Sequence, residues 1–136
     1  MRILICDDDP LAIEQIHKNL KSFFTYKHIK CPEVISYSCG EDLLNDTGNK
    51  DIVFLDIEMP VLDGLAVGEK LKTLPNPPKI IFSTGFDQFA VRAFELEAFD
   101  YILKPYTKTR LQATVIKLQK VLQNQSQQQL PSRCNF

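Results

Sequence analysis

Residues 51–60 read DIVFLDIEMP, and this stretch decides the fold. Ile52, Val53, Phe54 and Leu55 form an unbroken apolar run, the pattern of a strand covered on both faces in a parallel sheet. Asp56 follows at the strand's end, and Pro60 and Gly64 then turn the chain away. A carboxylate fixed where a buried strand surfaces raises the question of what else arrives at that edge.

Outward from this strand, short apolar runs alternate with helical patterns. Residues 3–6 form a first strand, and Pro10 opens a helix whose apolar face is Ile13, Ile16, Leu20 and Phe23. Residues 34–37 are a second strand, followed by a short helix over 40–44. After the strand at 51–55, Leu65, Ala66 and Leu71 support a helix that ends before PNPP at 75–78. Residues 80–83 are the fourth strand, 89–96 a helix with a mostly apolar face, and 99–103 the fifth strand. Leu111, Val115, Leu118 and Leu122 then recur on one helix face. Strands alternating with helices imply an α/β fold, an open parallel sheet covered on both sides. The stretch QNQSQQQLPSRCNF is polar and lacks apolar periodicity, so the domain is set at 1–123 and a Gln-rich linker or tail at 124–136.

The bulk properties fit one cytoplasmic domain. The chain has 136 residues, is 44% hydrophobic and 24% charged, and carries a formal net charge of -1. That balance offers no basic excess for a phosphate backbone, so the chain by itself reads as a poor nucleic-acid binder. No apolar run approaches the ~20 residues of a membrane span, and MRILICDDDP is no signal peptide. Cys6, Cys31, Cys39 and Cys134 are scattered, the pattern of reduced thiols.

In an open parallel sheet, sites form beyond the carboxyl ends of the strands. There the first strand delivers Asp7, Asp8 and Asp9, the third Asp56, the fourth Thr84 and the fifth Lys104-Pro105. Two carboxylates ~4 Å apart repel by about 4 kcal/mol at an effective dielectric near 20, so such a cluster calls for a hard cation. Mg²⁺ binds through one or two carboxylates and keeps positions for water and phosphate. Acids, a metal and a lysine together suit a phosphoryl group, with solitary Asp56 as the best-placed nucleophile and Thr84 as a hydroxyl donor.

Simpler roles are available to each residue alone. The Asp7–Asp9 run suits a helix N-terminus, which accounts for one acid well. Asp63-Gly64 reads as a turn and helix cap, Tyr101 as half-buried packing, and His17 and His28 as surface residues. None of these readings explains Asp56, and the coincidence of polar groups at successive strand ends favours a joint site.

With these pieces in hand, the sequence resembles a bacterial response-regulator receiver domain of two-component signalling. The resemblance rests on ILICDDDP, DIVFLDIEMPVLDG, IIFSTG and FDYILKP, in the family's order, over roughly residues 2–122. It implies a flavodoxin-like (βα)5 doubly wound sheet in the order 2-1-3-4-5 and Mg²⁺-dependent phosphoryl transfer from a sensor histidine kinase to Asp56. Asp8 would ligate Mg²⁺ directly, Asp7 mainly through water, Asp56 as ligand and phosphoacceptor, and Glu58 through its backbone carbonyl. Thr84 would be the switch hydroxyl, Tyr101 the switch aromatic, and Lys104 the phosphate partner, joined to Pro105 by a cis peptide. Such a domain is no dedicated enzyme; it catalyses its own phosphorylation and dephosphorylation. Gly85 stands where Ala is commoner, and Glu58 and Phe86 occupy variable positions that influence phosphoryl lifetime. The stretch FDQFAVRAFELEAFDYILKPY further resembles receivers attached to LytTR-type DNA-binding effectors, so DNA would be reached only through an effector absent from this chain.

A homodimer would form through the fourth helix, fifth strand and fifth helix, with Arg92, Glu95, Glu97, Asp100, Lys108 and Arg110 giving that face mixed charge. The rival readings are a stand-alone receiver, a phosphorylation-independent interaction module, an Asp-x-Asp phosphatase using Asp7 and Asp9, and a flavodoxin-like nucleotide binder. The last needs a neutral phosphate loop, which DDDP is not.

Overall fold

A computed structural model describes the backbone of residues 1–134 and the side chains of 1–121. Strands and helices alternate strictly: β1 (Arg2–Cys6), α1 (Pro10–Tyr26), β2 (Glu33–Tyr37), α2 (Gly40–Asn45), β3 (Ile52–Leu55), α3 (Gly64–Lys72), β4 (Lys79–Thr84), α4 (Ala90–Glu95), β5 (Asp100–Leu103) and α5 (Lys108–Cys134). The five strands are all parallel, in the order β2-β1-β3-β4-β5. This is the α/β flavodoxin-like arrangement that the sequence predicts, and its chain reversal falls beside β1, flanked by β2 and β3.

The side-chain period of 2 along a strand divides the core into two halves. Ile3, Ile5, Ile52, Phe54 and Ile81 pack against α1 and α5 on one side of the sheet. Leu4, Cys6, Val53, Leu55, Ile80 and Phe82 pack against α2, α3 and α4 on the other. Every residue of β3 is buried, as its apolar run requires.

Two helix starts follow from side-chain caps. Asp9 accepts a hydrogen bond from the Leu11 amide, with Pro10 in the first turn of α1. Asp63 accepts from the Ala66 amide at the start of α3. The fourth helix departs from expectation. It spans only Ala90–Glu95, and only Ala93 of it is buried, while Val91 and Phe94 are 72% and 83% exposed. Its apolar residues point outward because one short turn of helix presents a single small residue to the sheet.

Helix α5 runs on to Cys134, through the position near 123 where the sequence reading places the domain boundary. The side chain of Leu122 and those of the Gln-rich stretch, Cys134 included, lie outside the described residues. Cys6, Cys31 and Cys39 are free thiols. Among the described residues, no helix is long and apolar enough to cross a membrane.

Candidate functional site

The carboxyl edge of the sheet gathers the charged residues. β1 ends at Cys6, β3 at Leu55, β4 at Thr84 and β5 at Leu103, so Asp7, Asp56 and Lys104 each step off a strand at the same level. The Asp56 amide donates to the Cys6 carbonyl and the Lys104 amide to the Thr84 carbonyl, which carries the ladder one residue beyond the strands. Side chains on such positions are held by the rigid sheet beneath them.

Asp7, Asp8 and Asp56 each offer a carboxylate oxygen, and these oxygens lie within 4.8 Å of one another. Asp7 and Asp56 are buried and Asp8 is exposed. Lys104 Nζ donates to Asp7 Oδ2 at 2.7 Å and stands 3.9 Å from Asp56 Oδ2. One ammonium thus faces three acids. Burial first, then the charge of Asp7, pushes the Asp56 carboxyl up to about 7 against the pull of Lys104. Burial would lower Lys104, but the hydrogen bond from its ammonium to Asp7 and the charges of Asp7 and Asp56 outweigh it and hold it raised. The excess negative charge fits a divalent cation: the donors are all hard carboxylate oxygens, and among the described residues Lys104 alone offsets them.

Asp9 is not part of this cluster. Its carboxylate caps α1, and its own amide donates to Asp7 Oδ1. The sequence reading of the acidic run as both helix cap and metal site therefore divides by residue, and the Asp7/Asp9 pair that a phosphatase would use is split. The Glu58 side chain is exposed, while its backbone stands beside the Asp56 carboxylate and pulls its pKa down.

Thr84 is fully buried, and its Oγ1 has no hydrogen-bond partner. An unpaired buried hydroxyl costs on the order of 1–3 kcal/mol, so a group that it can donate to is strongly favoured. Strand alternation places Thr84 on the side of Phe82, the side against which Tyr101 also packs. The Tyr101 hydroxyl donates to the Phe86 carbonyl, two residues beyond Thr84 in the β4–α4 loop. A Cβ on the intervening Gly85 would meet nothing within 4 Å, so the Ala commoner at this position would fit without a clash. The Lys104–Pro105 peptide is cis, as the resemblance implies.

Two features escaped the sequence reading. A Cβ on Gly64 would lie 2.0 Å from the Asp56 carbonyl oxygen, so only glycine lets the start of α3 back directly onto the Asp56 main chain. DG at 63–64 signals a turn, but not this close approach. Ser83 and Tyr106 also hold buried hydroxyls without partners, and Tyr106 feels the charges of both Lys104 and Asp7. The alternation of β4 was the available signal for Ser83, since it must face away from Thr84.

The family model described as the response regulator receiver domain matches residues 3–116. The chain belongs to the response regulator receiver family. The receiver is 40% identical over 127 residues to the sensory transduction protein LytR of Staphylococcus haemolyticus, covering 93% of this chain and 48% of that protein. It is 38% identical over 118 residues to the transcriptional regulatory protein LytR of Staphylococcus aureus (strain N315), covering 87% of this chain and 47% of that protein. The receiver therefore spans about half the length of these relatives, and the likeness to LytR proteins agrees with a LytTR-type subgroup. Among solved structures, the response regulatory domain of mrkE from Klebsiella pneumoniae superposes with a TM-score of 0.82 at 34% identity, covering 91% of this chain and 99% of that one. The response regulator TrrA from Thermotoga maritima, in complex with Mg(2+)-BeF, gives 0.72 at 30% identity, covering 86% of this chain and 97% of that one. Receivers are the partners of sensor histidine kinases, and they generally bind Mg²⁺ at an acidic pocket.

Proposed function

We propose that this receiver accepts a phosphoryl group on Asp56 and relays the event to an effector. The observation that carries the reading is the convergence of Asp7, Asp8 and Asp56 with Lys104 and the unpartnered Thr84 hydroxyl on one edge. An Asp56 carboxylate oxygen attacks the phosphorus of a phosphohistidine, the P–N bond breaks, and the imidazole leaves with a proton from solvent. Asp7, Asp8, Asp56 and the Glu58 carbonyl would hold Mg²⁺, which when bound neutralises charge on the phosphoryl oxygens. Lys104 is positioned to exchange Asp7 for a phosphoryl oxygen, and Thr84 Oγ1 to donate to another. Withdrawal of Thr84 pulls on Gly85 and Phe86, the loop that Tyr101 grips through its hydroxyl, and so reshapes the surface around α4. The same Asp56 acyl phosphate is open to water, which gives self-dephosphorylation rather than a dedicated enzyme activity.

The output reading is a homodimer through α4, β5 and α5 that controls a LytTR-type DNA-binding effector not present in this chain, with the whole in the cytoplasm. Exposed Val91, Phe94 and Leu103 support that interface more than its charges do. Arg92 is paired to Glu69 of α3 and Arg110 to Asp100 within the chain, so both charges have partners already.

Intact-protein mass after incubation with acetyl phosphate and Mg²⁺ tests the chemistry. One added phosphoryl group is expected on wild type, and none on Asp56→Asn or without Mg²⁺. No adduct with unconsumed donor would leave an interaction module. Donor turnover that survives Asp56→Asn and is lost in Asp7→Asn would establish a phosphatase.

A further inference from the structure

The net charge of -1 conceals a separation of charge by side of the sheet. No Asp or Glu occurs in residues 15–30 or 108–121, yet these segments carry half of the chain's 16 Lys and Arg. They are most of α1 with the turn after it, and the described length of α5, the two helices that cover one side together. The acids that do reach this layer are at its margins: Glu14 in the first half of α1, and Asp100 of β5, which faces Arg110 and Lys117 of α5. Within the basic layer, Lys18, Arg110 and Lys117 reach carboxylates at its margins. Lys21, Lys27, Lys30, Lys108 and Lys120 have no carboxylate within ion-pair distance among the described residues.

Between α1 and α5 this layer holds a groove of about 380 Å³. Phe23, 4% exposed, lies at its base, and Tyr26 and Ile116 are exposed along it. Lys27 and Lys108 flank it, with Lys27 Nζ 6.0 Å from the Phe23 ring centroid. The groove contains no acid, and its apolar base is recessed rather than projecting.

We infer that the α1–α5 groove docks a protein segment that inserts an apolar side chain and flanks it with carboxylates, in the helix-in-groove manner. Charge complementarity selects an acidic occupant. The apolar base separates this from a phosphate backbone, whose attraction to lysines needs no apolar floor. A membrane surface takes a broad set of projecting apolar side chains; here only Tyr26 and Ile116 project, at the rim, and recessed Phe23 between them leaves room for an inserted side chain. A symmetric second copy would set lysines against lysines, because an isologous interface repeats one patch on both subunits. The proposal goes beyond phosphorylation and uses none of its residues.

The test uses the full chain, ¹⁵N-labelled, with a short fluorescent amphipathic helical peptide bearing leucines flanked by glutamates. The same peptide with Glu replaced by Gln is the control. The Glu peptide is expected to shift Ser22, Tyr26, Gln112 and Ile116. Its Kd should weaken at least about tenfold in the double variant K27E/K108E, equivalent to 1.4 kcal/mol. Ile116→Asp should weaken it comparably, and both variants should melt like wild type and keep acetyl-phosphate labelling of Asp56. Asp56→Asn should bind the peptide normally. Equal binding of the Gln peptide, shifts centred elsewhere, or these same shifts produced instead by a DNA duplex or phosphatidylglycerol vesicles would overturn the proposal.

Discussion

Val61 holds φ at 69°, and its side chain is 97% exposed. A β-branched residue in the left-handed region is strained, and this one recovers nothing by burial. Val61→Gly is expected to raise stability by about 1 kcal/mol in urea unfolding, since glycine accepts this conformation freely. A loss instead would mean that the extra unfolded-state entropy of glycine outweighs the relief of backbone strain at this position. The contrast with Asp56, Thr84 and Lys104 marks what residue-level reading can reach. Those three were legible because strand phase fixes where a chain surfaces. Val61 was not, because a turn signal such as MPVLDG leaves the dihedral of each residue open. The Gly64 contact was hidden for the same reason: it depends on how closely α3 approaches the end of β3.

At the scale of elements, strands were read most faithfully and α4 least. An apolar run inside a parallel sheet has one outcome, whereas FAVRAFELEAF supports a longer buried helix equally well on periodicity alone. What decides α4 is its length, with Phe94 turned out to solvent. If the phosphorylated protein dimerises through this element, Phe94→Glu should weaken the dimer at least about tenfold in light scattering, by setting a charge in an apolar contact. An unchanged dimer would place the interface elsewhere. At the opposite end of β1, one carboxylate ties three elements together. Asp46, just past α2, accepts from Arg2 Nη1 and Nη2 at 2.9 and 3.1 Å, from the Tyr37 hydroxyl and from the Gly48 amide. Asp46→Ala leaves the Arg2 guanidinium only Glu33 and the Asn49 carbonyl and should cost about 1–2 kcal/mol in chemical denaturation, from the loss of charge-assisted hydrogen bonds at a half-buried site.

For the whole molecule, the carboxylates act on stability in opposite directions. Hydrogen bonds from Arg2 and Tyr37 hold Asp46 well below the usual carboxylate range. Burial would raise Asp100, but hydrogen bonds from Arg110, Thr114 and the Tyr101 amide hold it lowered. A carboxyl lowered by folding lends stability above its ordinary value of 3.8, and this drains as pH falls. Asp56 is the reverse, because the folded chain keeps its proton up to about 7 while the unfolded chain releases it near 3.8. Metal-free protein should therefore lose stability as pH rises through that window. Asp56→Asn should melt roughly 5 °C higher than wild type at neutral pH, with the gap closing in acid. Added Mg²⁺ should stabilise wild type and spare the variant. A wild-type melting temperature that is flat across the window and unmoved by Mg²⁺ would remove the electrostatic strain assigned to Asp56.

The sheet that divides the core also divides the molecule's duties. Thr84 and Tyr101 sit on the side of α2–α4, while the basic groove lies behind a fully buried β3 on the other. A partner seated in that groove would touch neither Thr84 nor Tyr101, and would meet the output face only along α5. It would fix where the receiver works, while the opposite side reports when.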